Sequence, residues 1–568
     1  MKIKSIKIEN FRSHKDSTIN LRDYNLITGP NSSGKSSIFY ALLCFYNYKG
    51  IKFNEDKDRS KFSRDQPSRV TVTYELNQND LGIKNLFNLD TNQNELSINY
   101  DLNENKYKLE GKADIVKSTF TKFFEKTNII FIPAIPDSSE AFKLTGPSIM
   151  RDALTEILKT IWEQSPESKK VNETLGQLLS SLNQSKTNAG ISPSQITDKI
   201  NESIKNVNLK LSFQTKTIDY TTLISNIYTV GVSDTKLSGD IDPSTISTGQ
   251  MKFLFYNLIR VLKDLKQSTM VDDSGNQLHF LIFEEPEAFL HPSNQLSLGE
   301  TMRSLASSEG WQFAISTHSP FFISKEIENM QDIIRIERDK SGVSKIFQIN
   351  EEQWKDLKKN EDFIAFLEKL ENDPELSINL DLRGKIEQII KTYENGLDEF
   401  SYNLYLNSER SRLFLSDKVI ICEGISDKLL VDYIIKLMGE KFISEIYVME
   451  SSGKYDIVRY MKILNHFGIK HCIIYDTDSN KKQNKNLAIN VNPYIEESIE
   501  KYSNFFVGSI CFNPNLEEEN MFFDSNGDKL SNNEKALYIL SGIKTGQLPN
   551  FNNINEKVAN LVQKLYES

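Results

Sequence analysis

The chain has 568 residues, of which 38% are hydrophobic and 26% charged, and its formal net charge is −10. This length is typical of three or four domains, and the balance of apolar and charged residues excludes an intrinsically disordered chain. The acidic net charge counts mildly against a protein that coats DNA, and it allows an enzyme with a local basic groove.

The sequence also bears on cellular location and on disulfides. No apolar run approaches the roughly 18 residues of a membrane span, and the N-terminus has no apolar signal-peptide core. Both features predict a cytoplasmic protein without membrane contact. The four cysteines contain no CxxC pair, which favours reduced, buried thiols over a zinc site. They are Cys44, Cys422, Cys472 and Cys511.

The N-terminal part alternates between strand and helix patterns. Residues 1–28 read as strands, and residues 36–48 have a helical pattern. Residues 69–110 alternate apolar and polar positions between turn residues, which predicts a β-meander. Residues 129–134 (IIFIPA) predict a buried strand.

The remaining sequence predicts an insertion, a return to the first domain, and a second domain. Residues 148–230 have helical patterns, and helix–strand alternation returns at 245–346. From Lys418, three buried strands alternate with helices, which predicts a parallel sheet with right-handed crossovers. The predicted boundaries are 1–147 and 231–350 for the two parts of the first domain, 148–230 for the insertion, 351–408 for a helical connector and 409–568 for the second domain.

The segment GPNSSGKSS (29–37) matches the phosphate-loop pattern G-x-x-x-x-G-K-S between an apolar strand and a helix. Backbone N–H groups of such a loop surround phosphate oxygens, and the helix dipole adds to the attraction. We expect Lys35 to reach the β- and γ-phosphates of ATP, and Ser36 to ligate Mg²⁺. The predicted nucleotide-binding residues of the loop are Gly29, Asn31, Ser32, Ser33, Gly34, Lys35, Ser36 and Ser37.

A second buried strand, in FLIFEEPEAFLHP (280–292), ends in acidic residues. Acidic side chains at a strand end can bind a metal ion and activate water. We expect Glu284 to bind the Mg²⁺ shell, and Glu285 to position or activate the water that attacks the γ-phosphate. A charged cap after a buried strand is the alternative interpretation.

The C-terminal part places carboxylates at the ends of two buried strands. VIICEGISD (419–427) contains Glu423 and Asp427, and IIYDTDSN (473–480) contains Asp476 and Asp478. Strand ends of an open parallel sheet meet at one edge, so these carboxylates should converge. Their mutual repulsion calls for a divalent cation, and oxygen ligands suit Mg²⁺ or Mn²⁺.

The order of the N-terminal motifs resembles the ATPase head of the ABC class, especially RecF, SMC and OLD (overcoming lysogenisation defect) proteins. STGQMKF (247–253) precedes the acidic strand, STHSPFF (316–322) follows it, and NFRSH (10–14) opens the chain. The resemblance implies that Arg12 lies near the nucleotide and that His318 senses the γ-phosphate. It also implies that one subunit contacts the γ-phosphate bound by another through Ser247, Gly249 and Gln250.

The C-terminal carboxylates resemble a Toprim domain of the OLD family. The E-x-x-x-D spacing, the D-x-D motif and the lead-in ERSRLFLSDKVIICEG (409–424) carry this resemblance. It implies that NLEEEN (515–520) supplies Glu517 and Glu519 to a second metal; a solvated helix face is the alternative. Lys454 and Lys544 are candidates to contact phosphate, and an ordinary surface lysine is the equal alternative for each.

The resemblance implies an α/β protein: an ABC-type (RecF/SMC-like) ATPase with a helical dimerisation insertion, followed by a parallel-sheet Toprim domain. The implied function is an ATP-regulated, metal-dependent DNA endonuclease in anti-phage defence. Such a nuclease acts as a homodimer or tetramer, alone or with a helicase or reverse transcriptase as in Gabija or retron systems. The alternatives are a RecF/SMC-like DNA-repair ATPase without nuclease activity, a topoisomerase or primase, and a nucleotide-gated scaffold.

Overall fold

The structure is a computed structural model. It describes residues 1–111, 115–135, 246–268, 278–288, 290–323, 327–374, 376, 379–394, 410–482, 486–524 and 527–568, two short strands within 232–241, and residues 170, 173, 174 and 177. The chain forms two compact units, Met1–Ile129 with Gly275–Ser568, and Ile130–Ser274. The predicted helical insertion at 148–230 lies almost wholly outside the described residues.

The first sheet of the larger unit is an antiparallel meander. In its opening strand, Ile6 and Ile8 alternate with polar residues and are buried; Ile3 is also buried, beyond a register shift between Ile3 and Ser5. The β-meander predicted for residues 69–110 is thereby confirmed. A short helix, Leu81–Leu86, lies between its first and second strands. The spatial order of the strands is His14–Asn20, Lys2–Phe11, Arg69–Glu75, Glu95–Asp101 and Lys106–Leu109.

The second sheet brings the predicted phosphate loop and the acidic strand together. Its central strands run parallel and are fully buried, as expected for strands covered on both faces. Both motifs therefore leave the sheet at the same edge. The spatial order is Ser344–Phe347, Ile333–Arg338, Tyr24–Thr28, Trp311–Ser316, Leu278–Glu284 and Thr127–Ile132.

The C-terminal sheet has four parallel strands, in the order Ile446–Glu450, Lys418–Cys422, Lys470–Asp476 and Phe506–Phe512. The first three are the predicted strands. The fourth was missed because Gly508 and Ser509 interrupt its apolar pattern at the edge of the sheet. Cys511 on this strand is exposed, so the prediction that all four thiols are buried is wrong there.

Helices cover the sheets and form the predicted connector. The connector contains Glu351–Lys359, Glu361–Glu371 and Leu380–Glu394, and part of it lies outside the described residues. None of the described helices has the length and hydropathy of a membrane-spanning segment. The other α-helices are Lys35–Phe45, Glu55–Asp58, Leu81–Leu86, Lys117–Phe124, Thr248–Ser268, Pro292–Ala306, Ile425–Met438, Glu440–Glu445, Lys454–His466, Leu487–Asn490, Asn492–Lys501, Leu516–Glu519, Asn532–Thr545 and Phe551–Glu567.

Candidate functional site

The phosphate loop, residues 29–36, needs its two glycines for conformational and steric reasons. Gly29 and Gly34 have φ values of 131° and 116°, which side chains rarely adopt. A Cβ atom on Gly29 would lie 2.0 Å from the carbonyl oxygen of Ile336, and one on Gly34 would lie 2.5 Å from Ser344 Oγ. The loop is thus packed directly against the strands Ile333–Arg338 and Ser344–Phe347.

Lys35 opens the helix after the loop and is folded onto the loop backbone. Its ammonium donates to the carbonyl oxygens of Gly29 and Pro30, at 2.8 Å each. Burial lowers the pKa of Lys35 to about 8, although Glu285, Asp417 and Glu287 oppose this shift. The exposed Asn31, Ser32 and Ser36 line the outer side of the loop and its first helical turn.

Nucleotide binding should therefore change the protonation of Lys35. Near pH 8, about half of the lysine is neutral, and bound phosphate charge would favour the ammonium form. We expect the protein to take up roughly half a proton for each ATP that binds at this pH. Calorimetric titrations in two buffers of different ionisation enthalpy measure the uptake. Identical binding enthalpies in both buffers would contradict the burial of Lys35 in the nucleotide-free state.

A buried histidine forms a hydrogen bond with the phosphate loop. His14 Nε2 lies 3.1 Å from the carbonyl oxygen of Gly34, and its Nδ1 lies 2.9 Å from Ser17 Oγ. Burial lowers the pKa of His14 to about 4, so the ring is neutral at physiological pH. Nε2 must then donate to the carbonyl, because a neutral ring has one N–H. The motif NFRSH contains His14, but the motif does not predict the hydrogen bond to Gly34, because this bond forms only when the loop is folded.

Arg12 is held by a carboxylate and an aromatic ring. Its guanidinium pairs with Asp58 at 2.8 Å and lies 4.8 Å from the centre of the Tyr40 ring. Burial raises the pKa of Tyr40, and the nearby charge of Glu284 raises it further. Arg12 and the acidic strand thus lie on either side of Tyr40, and Asp58 partly neutralises the charge of Arg12; its proximity to a nucleotide stays a prediction.

The acidic strand end and the segment 316–322 are joined by Glu287. Thr317 Oγ1 and the His318 backbone N–H donate to its carboxylate, at 2.9 and 2.6 Å. Burial raises the pKa of Glu287, and burial followed by the charge of Lys35 lowers the pKa of His318. The sequence analysis assigned no role to Glu287, although it is the last acidic residue of E-E-P-E. Glu284 and Glu285 precede it, and Glu285 has a φ of 44°.

Ser247, Gly249 and Gln250 lie in the smaller unit, at the start of the helix Thr248–Ser268. Ser247 Oγ donates to Gln250 Oε1 at 2.9 Å, and the Gln250 N–H donates back at 3.3 Å. This reciprocal pair fixes the first helical turn. Ser247 and Gln250 are exposed, as a surface that contacts another subunit requires.

Four carboxylates meet at the edge of the C-terminal sheet: Glu423, Asp427, Asp476 and Glu517, here called the acidic cluster. Glu423 accepts from the Asp476 N–H at 3.1 Å, and Asp476 accepts from the Leu516 N–H at 3.0 Å. Burial raises the pKa of Asp427 and Asp476, and charges within the cluster raise both further. The fold thus brings all four side chains together: three of them belong to the predicted strand-end set, whereas Glu517 was a candidate only through the resemblance.

The acidic cluster has the composition of a site for hard divalent cations. Its ligands are carboxylate oxygens, and their mutual repulsion is relieved by positive charge. Among the described residues, however, no three acidic, histidine or cysteine side chains already form a complete metal-ligand set. Binding of a cation by this cluster would therefore require side-chain rotation. Lys535 Nζ, 3.1 Å from Glu517 Oε2, partly compensates the cluster.

Asp478, the second acid of D-x-D, is held by two lysines. Lys454 and Lys481 lie 3.0 and 2.6 Å from its carboxylate oxygens. Lys454 is buried and also donates to the carbonyl oxygen of Asp476. The alternative that Lys454 is a surface lysine is therefore wrong. Asp478 borders the acidic cluster, but its charge is already neutralised.

The remaining predicted residues differ in their placement. Glu519 accepts from the Asn513 N–H at 2.6 Å and pairs with Lys557, so the structure engages it outside the acidic cluster. Lys544 is exposed in the last turn of the helix Asn532–Thr545. Of the two candidate glutamates among the three in NLEEEN, Glu517 is the one whose charge acts on Asp427 and Asp476.

Comparison with known families agrees with this arrangement. A family described as "AAA ATPase domain" matches residues 1–323, which is more than half of the chain. A second, "Overcoming lysogenization defect protein-like, TOPRIM domain", matches residues 414–478. The chain belongs to the OLD family. It combines an ATPase domain with a Toprim nuclease domain, which implies the use of a nucleotide and a divalent metal ion.

Two curated relatives of the OLD family align over most of the chain. The "Old nuclease" of Escherichia phage P2 is 24% identical over 512 residues, covering 84% of this chain and 77% of the relative. "Endonuclease GajA" from Bacillus cereus (strain VD045) is 24% identical over 517 residues, covering 85% and 76%. A solved SMC head bound to the winged-helix domain of ScpA has a TM-score of 0.34 and 15% identity, covering 62% of this chain and 99% of that one.

The two domains of this OLD protein are joined at a buried arginine. Arg335 lies opposite Thr28, the residue before the phosphate loop, and its side chain is fully buried. Its guanidinium pairs with Asp417 at 3.0 Å and donates to the carbonyl oxygen of Phe467 at 3.1 Å. The strand that packs against the phosphate loop thus also holds the first Toprim strand.

The Toprim helix Lys454–His466 makes a second connection. Its first residue, Lys454, binds Asp478, and Phe467 just after its end accepts from Arg335. In between, Arg459 donates to the carbonyl oxygen of Leu357 at 2.9 Å, at the end of the connector helix Glu351–Lys359. A helix of 13 residues spans about 20 Å. One rigid element therefore contacts the acidic cluster region, the connector and the ATPase sheet.

Proposed function

We propose that the chain is an ATP-binding, divalent-metal-dependent endonuclease that hydrolyses phosphodiester bonds in DNA under nucleotide control. The single observation that carries the proposal is the acidic cluster. Burial and the neighbouring charges of Glu423 and Glu517 raise the pKa of Asp427 and of Asp476, which is costly unless a cation binds the cluster. The same chain contains a phosphate loop built around Lys35.

The acidic cluster would hold the cations, with Mg²⁺ or Mn²⁺ as the ions that such ligands suit. Bound divalent cations activate water and stabilise the leaving oxygen in phosphodiester hydrolysis. Asp478 and Glu519 would join the ligand set only after releasing Lys454 or Lys481, and Lys557, respectively. The released lysines would remain beside the site, where they would favour the approach of a phosphate.

The nucleotide would bind at the phosphate loop. Lys35 would exchange its two loop carbonyls for phosphate oxygens, and Ser36 and Glu284 would hold the accompanying Mg²⁺. Glu285 would position the attacking water, while Glu287 fixes the backbone of His318, which would contact the γ-phosphate. Ser247, Gly249 and Gln250 of a second subunit would complete the site, so the chain would act as a homodimer or tetramer.

The biological role that best fits this combination is defence against phages. The relative named "Endonuclease GajA", which aligns with 85% of this chain, supports an endonuclease activity. A second subunit, such as a helicase or a reverse transcriptase, would then supply the trigger. A DNA-repair ATPase without nuclease activity is the second candidate, since "DNA replication and repair protein RecF" of Desulforamulus reducens is 29% identical over 100 residues. The acidic cluster disfavours it.

Nucleotide control predicts a measurable difference between nucleotide states. A Glu285→Gln variant should retain bound ATP, because the amide keeps the shape of the side chain but cannot act as a base. We expect its rate of DNA cleavage to differ between ATP, ADP and no nucleotide at constant free Mg²⁺, because Arg335 and the helix Lys454–His466 join the two sites. Equal rates in all three states would refute the control, and absent cleavage would refute the nuclease.

A further inference from the structure

A cavity of about 460 Å³ lies between the connector and the Toprim domain. Its volume falls within the roughly 300–1,000 Å³ typical of small-molecule sites. One wall is the connector helix Leu380–Glu394, and the other contains the residues that begin the helix Lys454–His466. None of these lining residues belongs to the acidic cluster or to the phosphate loop.

The connector helix presents a polar face to this cavity. Lys385, Gln388 and Thr392 all line it, and their spacing of three and four residues places them on one side of the helix. Lys385 is exposed, so its ammonium is hydrated and mobile enough to meet an anion. Lys391 on the same helix does not line the cavity, although it is also exposed.

The Toprim wall adds backbone and side-chain groups of different chemistry. Ser452 and Gly453 line it just before the first turn of the helix, and their N–H groups donate to the carboxylate of Glu450 and to the carbonyl oxygen of Glu423. Asp456 lines it from within that turn and is buried. The cavity therefore has a cationic side on the connector and an acceptor-rich side near Asp456.

The cavity adjoins the acidic cluster. The Gly453 N–H donates to the carbonyl oxygen of Glu423 at 3.0 Å, and Lys454, the next residue, pairs with Asp478. Tyr455 lines the cavity and is close enough to Asp478 and Glu423 for their charges to raise its pKa, after burial. The residues that line the cavity are therefore direct neighbours of Glu423 and Asp478.

We infer that this cavity binds one nucleotide of the DNA strand next to the scissile phosphate, with Lys385 on its phosphate. The base would lie toward Asp456, which can accept a hydrogen bond from an exocyclic amino group. This inference rests on the proposed nuclease function. It makes the connector part of the substrate site, so that a movement of the connector would change DNA binding directly.

Binding of a fluorescent DNA oligonucleotide, measured by anisotropy over a range of salt concentrations, tests the inference. An Asp476→Asn background prevents cleavage during the titration. Adding Lys385→Ala should weaken binding about tenfold, as expected for one charge-assisted contact. It should also reduce the slope of log K against log salt by about 0.7–0.9, the share of one phosphate contact. Lys391→Ala is the matched control on the same helix.

A second variant tests the cavity itself, because it leaves Lys385 in place. Gln388→Trp should fill the cavity and weaken binding at least about tenfold, and the salt slope should fall as it does in Lys385→Ala, because the expelled nucleotide no longer brings its phosphate to Lys385. Thermal unfolding checks that each variant is folded. If Lys385→Ala and Lys391→Ala bind DNA with equal affinity and slope, the subsite is refuted. If the Asp476→Asn parent binds no DNA, the nuclease function itself is refuted.

A free nucleotide carries the same phosphate and base as a nucleotide of the DNA strand, so it is the alternative occupant of the cavity. A deoxynucleoside monophosphate has the phosphate and base but none of the neighbouring strand, so it should compete only at concentrations far above that of the oligonucleotide. Competition at equal concentration would overturn the assignment to a DNA strand.

Discussion

Replacing Asp476 by asparagine is expected to abolish DNA cleavage and leave ATP binding unchanged. Asp476 ends the strand Lys470–Asp476 inside the acidic cluster, and an asparagine Oδ1 can still accept from the Leu516 N–H. The loss should exceed the roughly 10–100-fold that removal of an outer-shell partner costs, because a direct metal ligand is lost. A plasmid cleavage assay measures the rate of DNA cleavage. Calorimetric titration with ATP measures the affinity of nucleotide binding.

The same variant should be more stable than the wild type when no metal is present. Burial and neighbouring carboxylates raise the pKa of Asp476 in the folded state, so its ionised form destabilises the fold. This destabilisation is absent below the unfolded pKa and grows as pH rises toward the folded pKa. We therefore expect a higher Tm than wild type at neutral pH and no gain at acidic pH. Mg²⁺ should raise the Tm of the wild type only.

Glu445→Gln is the matched control for Asp476→Asn. Glu445 lies just before the strand Ile446–Glu450, away from the acidic cluster, and pairs with Lys418 at 3.0 Å. It removes one carboxylate from the same domain without touching the acidic cluster. Normal cleavage by Asp476→Asn, or equal loss in both variants, would show that the acidic cluster is not the active site.

Arg335→Met is expected to destabilise the larger unit by about 3 kcal/mol, the lower end of the range for breaking a buried ion pair. The lower end applies because Asp417 and Glu337 are 42% and 23% exposed, although Arg335 is fully buried. The replacement also leaves the carbonyl oxygens of Ser416 and Phe467 without their donor. Denaturant unfolding monitored by circular dichroism measures the loss.

Arg338→Met tests whether the effect depends on burial. Arg338 ends the same strand but is exposed, so its replacement should change stability by no more than about 0.5 kcal/mol. Equal effects of the two variants would contradict the view that Arg335 joins the ATPase sheet to the Toprim domain.

Much of both sites was predictable because local segments encode them. The phosphate loop depends on glycines within a few residues of Lys35, and the spacing of apolar residues fixes the strand before it. Glu423 and Asp476 follow fully apolar strand segments, and the rule that parallel strand ends share an edge brings them together.

The contacts that support the sites were not predictable, since they join distant segments. Arg335 looks like an ordinary arginine within a strand, because only the fold places Asp417 at 3.0 Å from it. Glu287 gains its role from the Thr317 hydroxyl, 30 residues away. Lys454 reads as a surface lysine in sequence, because only the fold places Asp478 at 3.0 Å from it. No pattern in the neighbouring sequence marks such residues, so their burial and their partners can be identified only in the folded structure.

The most direct measurement is incubation of the purified chain with closed circular plasmid and increasing Mg²⁺ or Mn²⁺. Closed circles have no ends, so their conversion to nicked and linear DNA reports internal cleavage. The acidic cluster predicts conversion that requires the metal, stops on chelation and is lost in Asp476→Asn. Intact circles at every metal concentration, or conversion that continues with chelator present, would contradict the assignment of this chain as a metal-dependent endonuclease.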